Sequence, residues 1–177
     1  MFRTIFIASV TLVLLCCVNW WRRSTGPAGR SSGGVGRFPG LERLMALAMW
    51  VSFAVLATTG FAGASLRGHV LSGFWMLMHM SFAALFAGSL SILLIMRAEA
   101  YSFADVIQAG RFSRGQKICF WIIAACGAFL ILCALGAMFP VLGTRWQHLA
   151  IKAHRYCALI ALLAGIVYMC ITMKRKV

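Results

Sequence analysis

The sequence predicts an all-α fold: an integral membrane four-helix bundle preceded by an extra N-terminal transmembrane helix. Hydrophobic residues make up 62% of the 177 residues, well above the roughly 45–50% of a soluble domain. They are concentrated in five stretches, at residues 4–21, 44–64, 71–96, 118–142 and 149–173. Each of the last four reaches the ~20 residues that cross a hydrocarbon core of about 30 Å.

The distribution of basic residues predicts the orientation of these spans. The net charge is +14, and twelve of the basic residues precede the second stretch, separate the third from the fourth, or end the chain. These twelve are Arg22, Arg23, Arg30, Arg37, Arg43, Arg97, Arg111, Arg114, Lys117, Lys174, Arg175 and Lys176. The connections 65–70 and 143–148 hold only Arg67 and Arg145. Because Lys and Arg accumulate in cytoplasmic loops, we expect both ends of the four-span core in the cytoplasm. We attribute the basicity to topology and to anionic lipid, not to nucleic acid.

The first stretch predicts an N-terminal membrane anchor helix over residues 1–23, beginning on the outer side. A basic residue followed by a short apolar run also resembles a signal peptide, but no small-residue cleavage site follows. Instead Trp20, Trp21, Arg22 and Arg23 form an aromatic belt and a positive stop. Residues 24–40 are rich in Gly, Ser and Arg and are predicted to be a flexible cytoplasmic linker. Residues 41–177 are predicted to form the four-helix membrane domain.

Two histidines lie inside the predicted spans, where an imidazole is costly without a partner. His79 follows the start of the third stretch by eight residues, and His154 follows the start of the fifth by five. Both stretches are predicted to run inward from the outer face, so the two residues lie at similar depths of roughly 8–12 Å. Two imidazoles at one depth on different spans are what the iron of a bis-histidine haem b requires. The alternative for each is a hydrogen-bonded packing residue.

Glycines and cations accompany these histidines. Gly60, Gly63 and Gly73 would let a flat macrocycle approach the backbone, although small residues are also ordinary at helix contacts. Arg155 follows His154 directly, and three further cations stand towards the outer face. These are Arg67, Arg145 and Lys152. Such cations could pair with haem propionates or simply extend to the lipid interface.

A segment before the fourth stretch resembles a known family. Residues 114–121, Arg-Gly-Gln-Lys-Ile-Cys-Phe-Trp, are similar to the Gly-Gln-Lys segment that opens the third helix of the gamma-type cytochrome b subunits of formate dehydrogenase, a cytochrome b561-like four-helix type. Thr59-Gly60 and His154 also resemble family positions, and the resemblance covers about residues 38–173. It implies a haem-binding subunit of a respiratory or photosynthetic-type redox complex, as a multi-pass protein of a bacterial inner (cytoplasmic) membrane. The other subunits of that complex are the partners it implies.

The departures from the family pattern bear on the number of haems. Family members typically carry two, and the inner one is bound by a first-helix histidine shortly after an arginine and by a second last-helix histidine about four turns after the first. Here Ala46 stands at the first of these positions, and Val167 and Tyr168 stand at the second. The pair that resembles the outer ligands, His79 and His154, is intact. The resemblance therefore implies one haem b, near the outer face.

In the two-haem relatives the pair of haems carries electrons across the membrane, and a single haem cannot complete that path. We therefore expect electron transport near the outer face, with a partner subunit or a quinone, and the chemistry supplied by the haem. No catalytic residues are predicted, so the chain is an electron-transfer subunit and not a catalytic one. The alternative is a structural membrane anchor subunit whose tetrapyrrole pocket is non-redox or empty. A transporter is disfavoured because Glu42, Glu99 and Asp105 fall outside the predicted membrane core.

Overall fold

The computed structural model describes residues 2–22, 39–63, 72–103, 112–138 and 143–174. Within these ranges the chain forms five α-helices and no strand. The helices are α1 (Phe2–Arg22), α2 (Pro39–Ala62), α3 (Phe74–Arg97), α4 (Arg114–Met138) and α5 (Thr144–Lys174). Each is long and apolar enough to cross a membrane. The predicted all-α membrane fold is therefore confirmed, and the chain is a multi-pass membrane protein.

Helices α2 and α5 each begin five residues before the apolar stretch that predicted them. Pro39 opens α2, where its missing N–H group removes no helical hydrogen bond. Glu42 lies in the first turn of α2 and pairs with Arg97 in the last turn of α3, so both charges also face the favourable end of a helix dipole. The last two residues of the predicted linker belong to α2, and residues 24–38 lie outside the described residues.

Contacts within the chain divide it into two compact units, whereas the sequence predicts residues 41–177 as one four-helix domain. One unit contains α2 and α3, which pack as an antiparallel hairpin. The ion pair between Glu42 and Arg97 ties the start of α2 to the end of α3. The hydrogen bond between Thr59 and His79 ties the end of α2 to the start of α3. Side chains near both ends of this hairpin are therefore joined by polar contacts.

The second unit contains α1, α4 and α5. Helices α4 and α5 are antiparallel, because Gln116 at the start of α4 donates to the hydroxyl of Thr172 near the end of α5. Further along α4, the thiol of Cys157 lies 3.6 Å from the main-chain oxygen of Cys126. The side chain of Ile171 packs against Gly115, where an added Cβ would lie 3.0 Å from Ile171 Cδ1.

Helix α1 packs against α5 in the parallel direction. The ring of Phe2 meets the ring of Tyr156 edge-on, with centroids 5.4 Å apart, and the thiol of Cys17 contacts the thiol of Cys170. Cys170 and Thr172 lie about 160° apart around the helix axis, so α1 and α4 contact opposite faces of α5. The parallel direction agrees with the predicted common starting side of α1 and α5.

Large apolar side chains cover much of the helix surfaces. Ile95 is 85% exposed, and Leu132 and Leu12 are also exposed. Such a surface is unusual in water but ordinary in lipid, whose tails are as apolar as these side chains. The buried positions include small residues, among them Ala161, which is 1% exposed and lies on the α5 face towards α4. Small residues allow neighbouring helices to approach closely within a membrane.

Candidate functional site

His79 lies in the second turn of α3 and is held by α2. Its Nδ1 atom is 2.8 Å from the hydroxyl oxygen of Thr59, and the imidazole is half-buried. The neighbouring residue of α2 is Gly60, where an added Cβ would lie 3.4 Å from Cε1 of the same ring. The absence of a side chain at Gly60 therefore lets the imidazole rest against the backbone of α2.

The hydroxyl of Thr59 determines the tautomer of this imidazole. Thr59 Oγ1 lies 2.7 Å from the main-chain oxygen of Val55, one turn earlier in α2. A hydroxyl carries a single proton, so a hydroxyl that donates to Val55 accepts from the Nδ1–H group of His79. The lone pair of a neutral His79 then resides on Nε2. A ring fixed through one nitrogen while the other carries the lone pair is the usual state of a histidine that ligates a metal.

His154 lies in α5 on the face that packs against α4. Its imidazole lies near the main-chain carbonyl of Leu130, and the side chain is half-buried. Cys157, one turn later on the same face, contacts the backbone of α4 as well. The imidazole of His154 therefore lies against its antiparallel partner helix.

The two candidate ligands belong to different units. His79 is part of the α2–α3 hairpin, and His154 is part of the unit of α1, α4 and α5. His79 is oriented by a hydrogen bond to α2, and His154 lies beside the main chain of α4. Among the described residues, no group of three or more His, Cys, Asp or Glu side chains is arranged to hold a metal ion. Imidazole nitrogen is a common axial donor to haem iron, so the residue type of each histidine fits that role.

The predicted propionate partners are distributed unevenly around α5. Arg155 and Arg145 are both exposed. Arg155 adjoins His154 in sequence, about 100° around the axis, whereas Arg145 precedes it by nine residues and lies about 180° away. Lys152 also lies on the side away from His154. The structure therefore does not bring Arg145 and Lys152 beside this imidazole. Arg67 lies outside the described residues.

Two of the predicted glycines have local structural roles. Gly73 has a φ of 57°, a conformation that glycine adopts at little cost. Its carbonyl accepts hydrogen bonds from the N–H groups of Met76 and Leu77, so it starts α3 ahead of His79. Gly60 contacts the imidazole as described above. Gly63 is buried at the end of α2.

The Gly-Gln-Lys segment forms a polar junction that the sequence did not reveal. Gln116 and Lys117 are both buried, although Lys117 was counted among the residues that predict a cytoplasmic loop. Gln116 bonds Thr172 of α5 at 3.2 Å. The ammonium group of Lys117 donates to the main-chain carbonyl of Ser102, which connects the segment after α3 to α4. Lys117 is therefore a buried hydrogen-bond donor that joins the segment after α3 to α4.

An aromatic cluster occupies the neighbourhood of Tyr168. Tyr101 is completely buried, and its hydroxyl lies 2.7 Å from that of Tyr168. The ring of Tyr101 stacks on Phe112 and Phe120, with centroids 4.3 and 4.1 Å away. Tyr168 is one of the two residues at the position of the second last-helix histidine in the resembled family. Its side chain is engaged in this cluster.

No known protein family, curated protein or solved structure matches the chain. The resemblance to the gamma-type cytochrome b subunits therefore rests on residues 114–121, Thr59-Gly60 and His154.

Proposed function

We propose that this chain is a haem b-binding membrane subunit of a redox complex, with His79 and His154 as the axial ligands of a single haem. The observation that carries the proposal is the 2.8 Å hydrogen bond between His79 Nδ1 and the hydroxyl of Thr59. It orients the ring, and with the hydroxyl proton assigned to Val55 it assigns the lone pair of His79 to Nε2, as ligation requires. We assign the Leu130 carbonyl beside His154 a similar supporting role for the second imidazole.

The residues of the chain would bind the haem and set its reduction potential, and the haem would supply the one-electron chemistry. Thr59 and the Leu130 carbonyl hold the two rings and raise the basicity of their coordinating nitrogens. The apolar helices restrict access of water to the site, which is a second determinant of a haem potential. Arg155, the cation next to His154, is the α5 residue that we assign to a propionate.

Two positions support a stoichiometry of one haem. Ala46 cannot ligate iron, and Tyr168 already shares a hydrogen bond with Tyr101 in a packed aromatic cluster. The proposed haem therefore exchanges electrons near one face of the membrane, which the basic residues identify as the outer face. We propose other subunits of a respiratory or photosynthetic-type complex in a bacterial inner membrane as its partners. A quinone at the same face could serve as electron donor or acceptor.

The proposal is tested by spectroscopy on the full chain, purified in detergent from cells that make haem. The reduced-minus-oxidised spectrum should show low-spin b-type bands. His79→Ala and His154→Ala should each abolish the low-spin signal, because each deletes one axial ligand. The matched control is His148→Ala, an exposed histidine of the same helix, which should keep the wild-type spectrum. Absence of b-type bands from a folded wild-type preparation would contradict the proposal, as would equal loss in the control.

A structural anchor subunit is the second candidate, and one observation favours it. His79 already has a hydrogen-bond partner in its own hairpin, which a packing histidine also requires. The two functions are distinguished by measuring electron transfer in the complex that co-purifies with the chain. His154→Ala should abolish electron transfer if the haem carries the current, whereas Tyr156→Phe should leave it intact. An assembled His154→Ala complex that lacks haem yet turns over normally would establish the structural role.

A further inference from the structure

The first turns of α5 carry a row of cations on one face. Arg145, His148 and Lys152 follow one another at intervals of three and four residues, the spacing that aligns side chains on a helix. All three are exposed. The row begins about 180° around the axis from His154, so it is distinct from the proposed ligand site.

The described part of the chain supplies little charge to neutralise this row. Its acidic side chains are Glu42 and Glu99. Glu42 is already paired with Arg97 in the α2–α3 unit. Glu99 shortly precedes Tyr101, whose hydroxyl bonds Tyr168 near the far end of α5. Among the residues that the structure describes, neither carboxylate therefore pairs with this row.

A cavity of about 650 Å³ opens along the same turns of α5. Its lining residues in the described part of the chain are Arg145, Trp146, His148, Leu149 and Lys152. Cationic N–H donors are suited to phosphate oxygens, and the N-terminal end of a long helix adds a favourable field for an anion. The indole and leucine side chains provide apolar surface beside these donors. The cavity therefore matches a molecule with a phosphate at one end and hydrocarbon at the other.

The position of the cavity along the span is that of a lipid headgroup. The contacts Gln116–Thr172 and Cys126–Cys157 define the antiparallel register of α4 and α5. Extending that register puts Met138, at the end of α4, level with the first turns of α5. Both helices qualify as membrane spans, so their common end lies at a membrane interface. Tryptophan, here Trp146, is enriched at that depth.

We propose that the first three turns of α5 form a binding site for one anionic phospholipid. Arg145 and Lys152 hold the headgroup phosphate, with His148 as an additional donor. Leu149 and Trp146 contact the glycerol and the upper acyl chain. The proposal is independent of haem binding, because Arg145, His148 and Lys152, which bind the headgroup, all lie on the side of the helix away from His154.

The site is tested by native mass spectrometry of the full chain, released from mixed micelles that contain phosphatidylglycerol and phosphatidylcholine. The wild type should retain one phosphatidylglycerol in preference to phosphatidylcholine. The double variant Arg145→Gln, Lys152→Gln should bind phosphatidylglycerol about thirty-fold more weakly, because each interfacial cation contributes a factor of about five. The control is Arg43→Gln, Arg114→Gln, which removes the same charge from exposed positions on α2 and α4. It should bind as the wild type does.

Several results would overturn the proposal. Equal retention of the two lipids by the wild type would remove the requirement for an anion. Equal weakening in the two double variants would show attraction to net charge without a site. Full competition by inorganic phosphate at the lipid concentration would identify free phosphate as the ligand. Binding of a polyglutamate peptide without any lipid preference would identify an acidic protein as the partner. Circular dichroism of both double variants controls for folding.

Discussion

Thr59 is the residue on which the orientation of His79 depends. In Thr59→Val the hydroxyl is lost, so the Nδ1–H group of His79 loses this acceptor and the ring loses basicity. We expect haem affinity to fall by roughly 10–100-fold and the midpoint potential to rise, because a weaker donor stabilises ferric iron less. Haem retention and a redox titration measure both effects.

The preceding residue provides the control for this prediction. Thr58 is exposed, and its hydroxyl bonds main-chain oxygens of its own helix, including that of Ala54 at 2.9 Å. Thr58→Val removes the same atoms without touching the imidazole. It should leave haem content and potential unchanged, and similar behaviour of the two variants would show that Thr59 does not act through His79.

We expect Tyr168 to stabilise the packing of the helices and not to ligate the haem iron. Tyr168→Phe leaves the hydroxyl of the fully buried Tyr101 without this partner. The free energy of unfolding should fall by about 1–3 kcal/mol, the cost of a buried polar group that loses its hydrogen bond. The haem spectrum should not change. Thermal unfolding and spectra of Tyr168→Phe are compared with those of Tyr156→Phe, whose ring is exposed. A spectral change specific to Tyr168→Phe would mean that this position acts on the haem.

The sequence identified both histidines but few of the groups that hold them. A histidine in an apolar run is conspicuous because an imidazole is costly there. The polar group beside His154 is the main-chain carbonyl of Leu130, and the sequence cannot reveal it because every residue type has such a carbonyl. Tyr101 and Tyr168 are 67 residues apart, so only the packing of helices reveals their contact. The sequence groups Arg145 with His154 because both are predicted towards the outer face, and this criterion ignores rotation around the helix axis.

At the scale of elements, the ion pair between Glu42 and Arg97 connects two helix ends of one hairpin. Both side chains are partly exposed, so solvent screens the attraction. Glu42→Gln should lower the free energy of unfolding by only about 0.2–1 kcal/mol. The control Glu99→Gln makes the same charge change at an exposed residue and should have a smaller effect. If both variants lost equal stability in thermal unfolding, net charge would explain the loss and the pair would contribute nothing specific.

The apolar stretches predicted the number and order of the helices, but not all of their ends. Hydropathy marks the part of a helix that lies in hydrocarbon, whereas helix ends at an interface depend on polar groups. Pro39 and Glu42 extend α2 beyond its apolar run, and the cationic first turns of α5 do the same for that helix. The sequence also does not predict which helices pack together, because helices that are apolar on all sides do not specify which faces meet.

At the scale of the whole molecule, the basic residues predict the orientation in the membrane. Gly40 at the start of α2 and Gly143 before α5 are exposed, and a Cβ at either would meet no atom within 4 Å. Cysteines placed there in a cysteine-free background should therefore not disturb the fold. A membrane-impermeant maleimide should label Gly143→Cys in intact cells and Gly40→Cys only after permeabilisation. The reverse pattern would invert the topology and move the proposed haem to the cytoplasmic face.

The central claim is that the chain binds one haem b, and the most direct test is the ratio of haem to protein. A pyridine haemochrome assay gives the haem, and quantitative amino-acid analysis of the same purified full chain gives the protein. The account predicts about one haem per chain, since His79 and His154 supply one axial pair and Ala46 and Tyr168 supply none. A ratio near zero in a folded preparation, or near two, would contradict it.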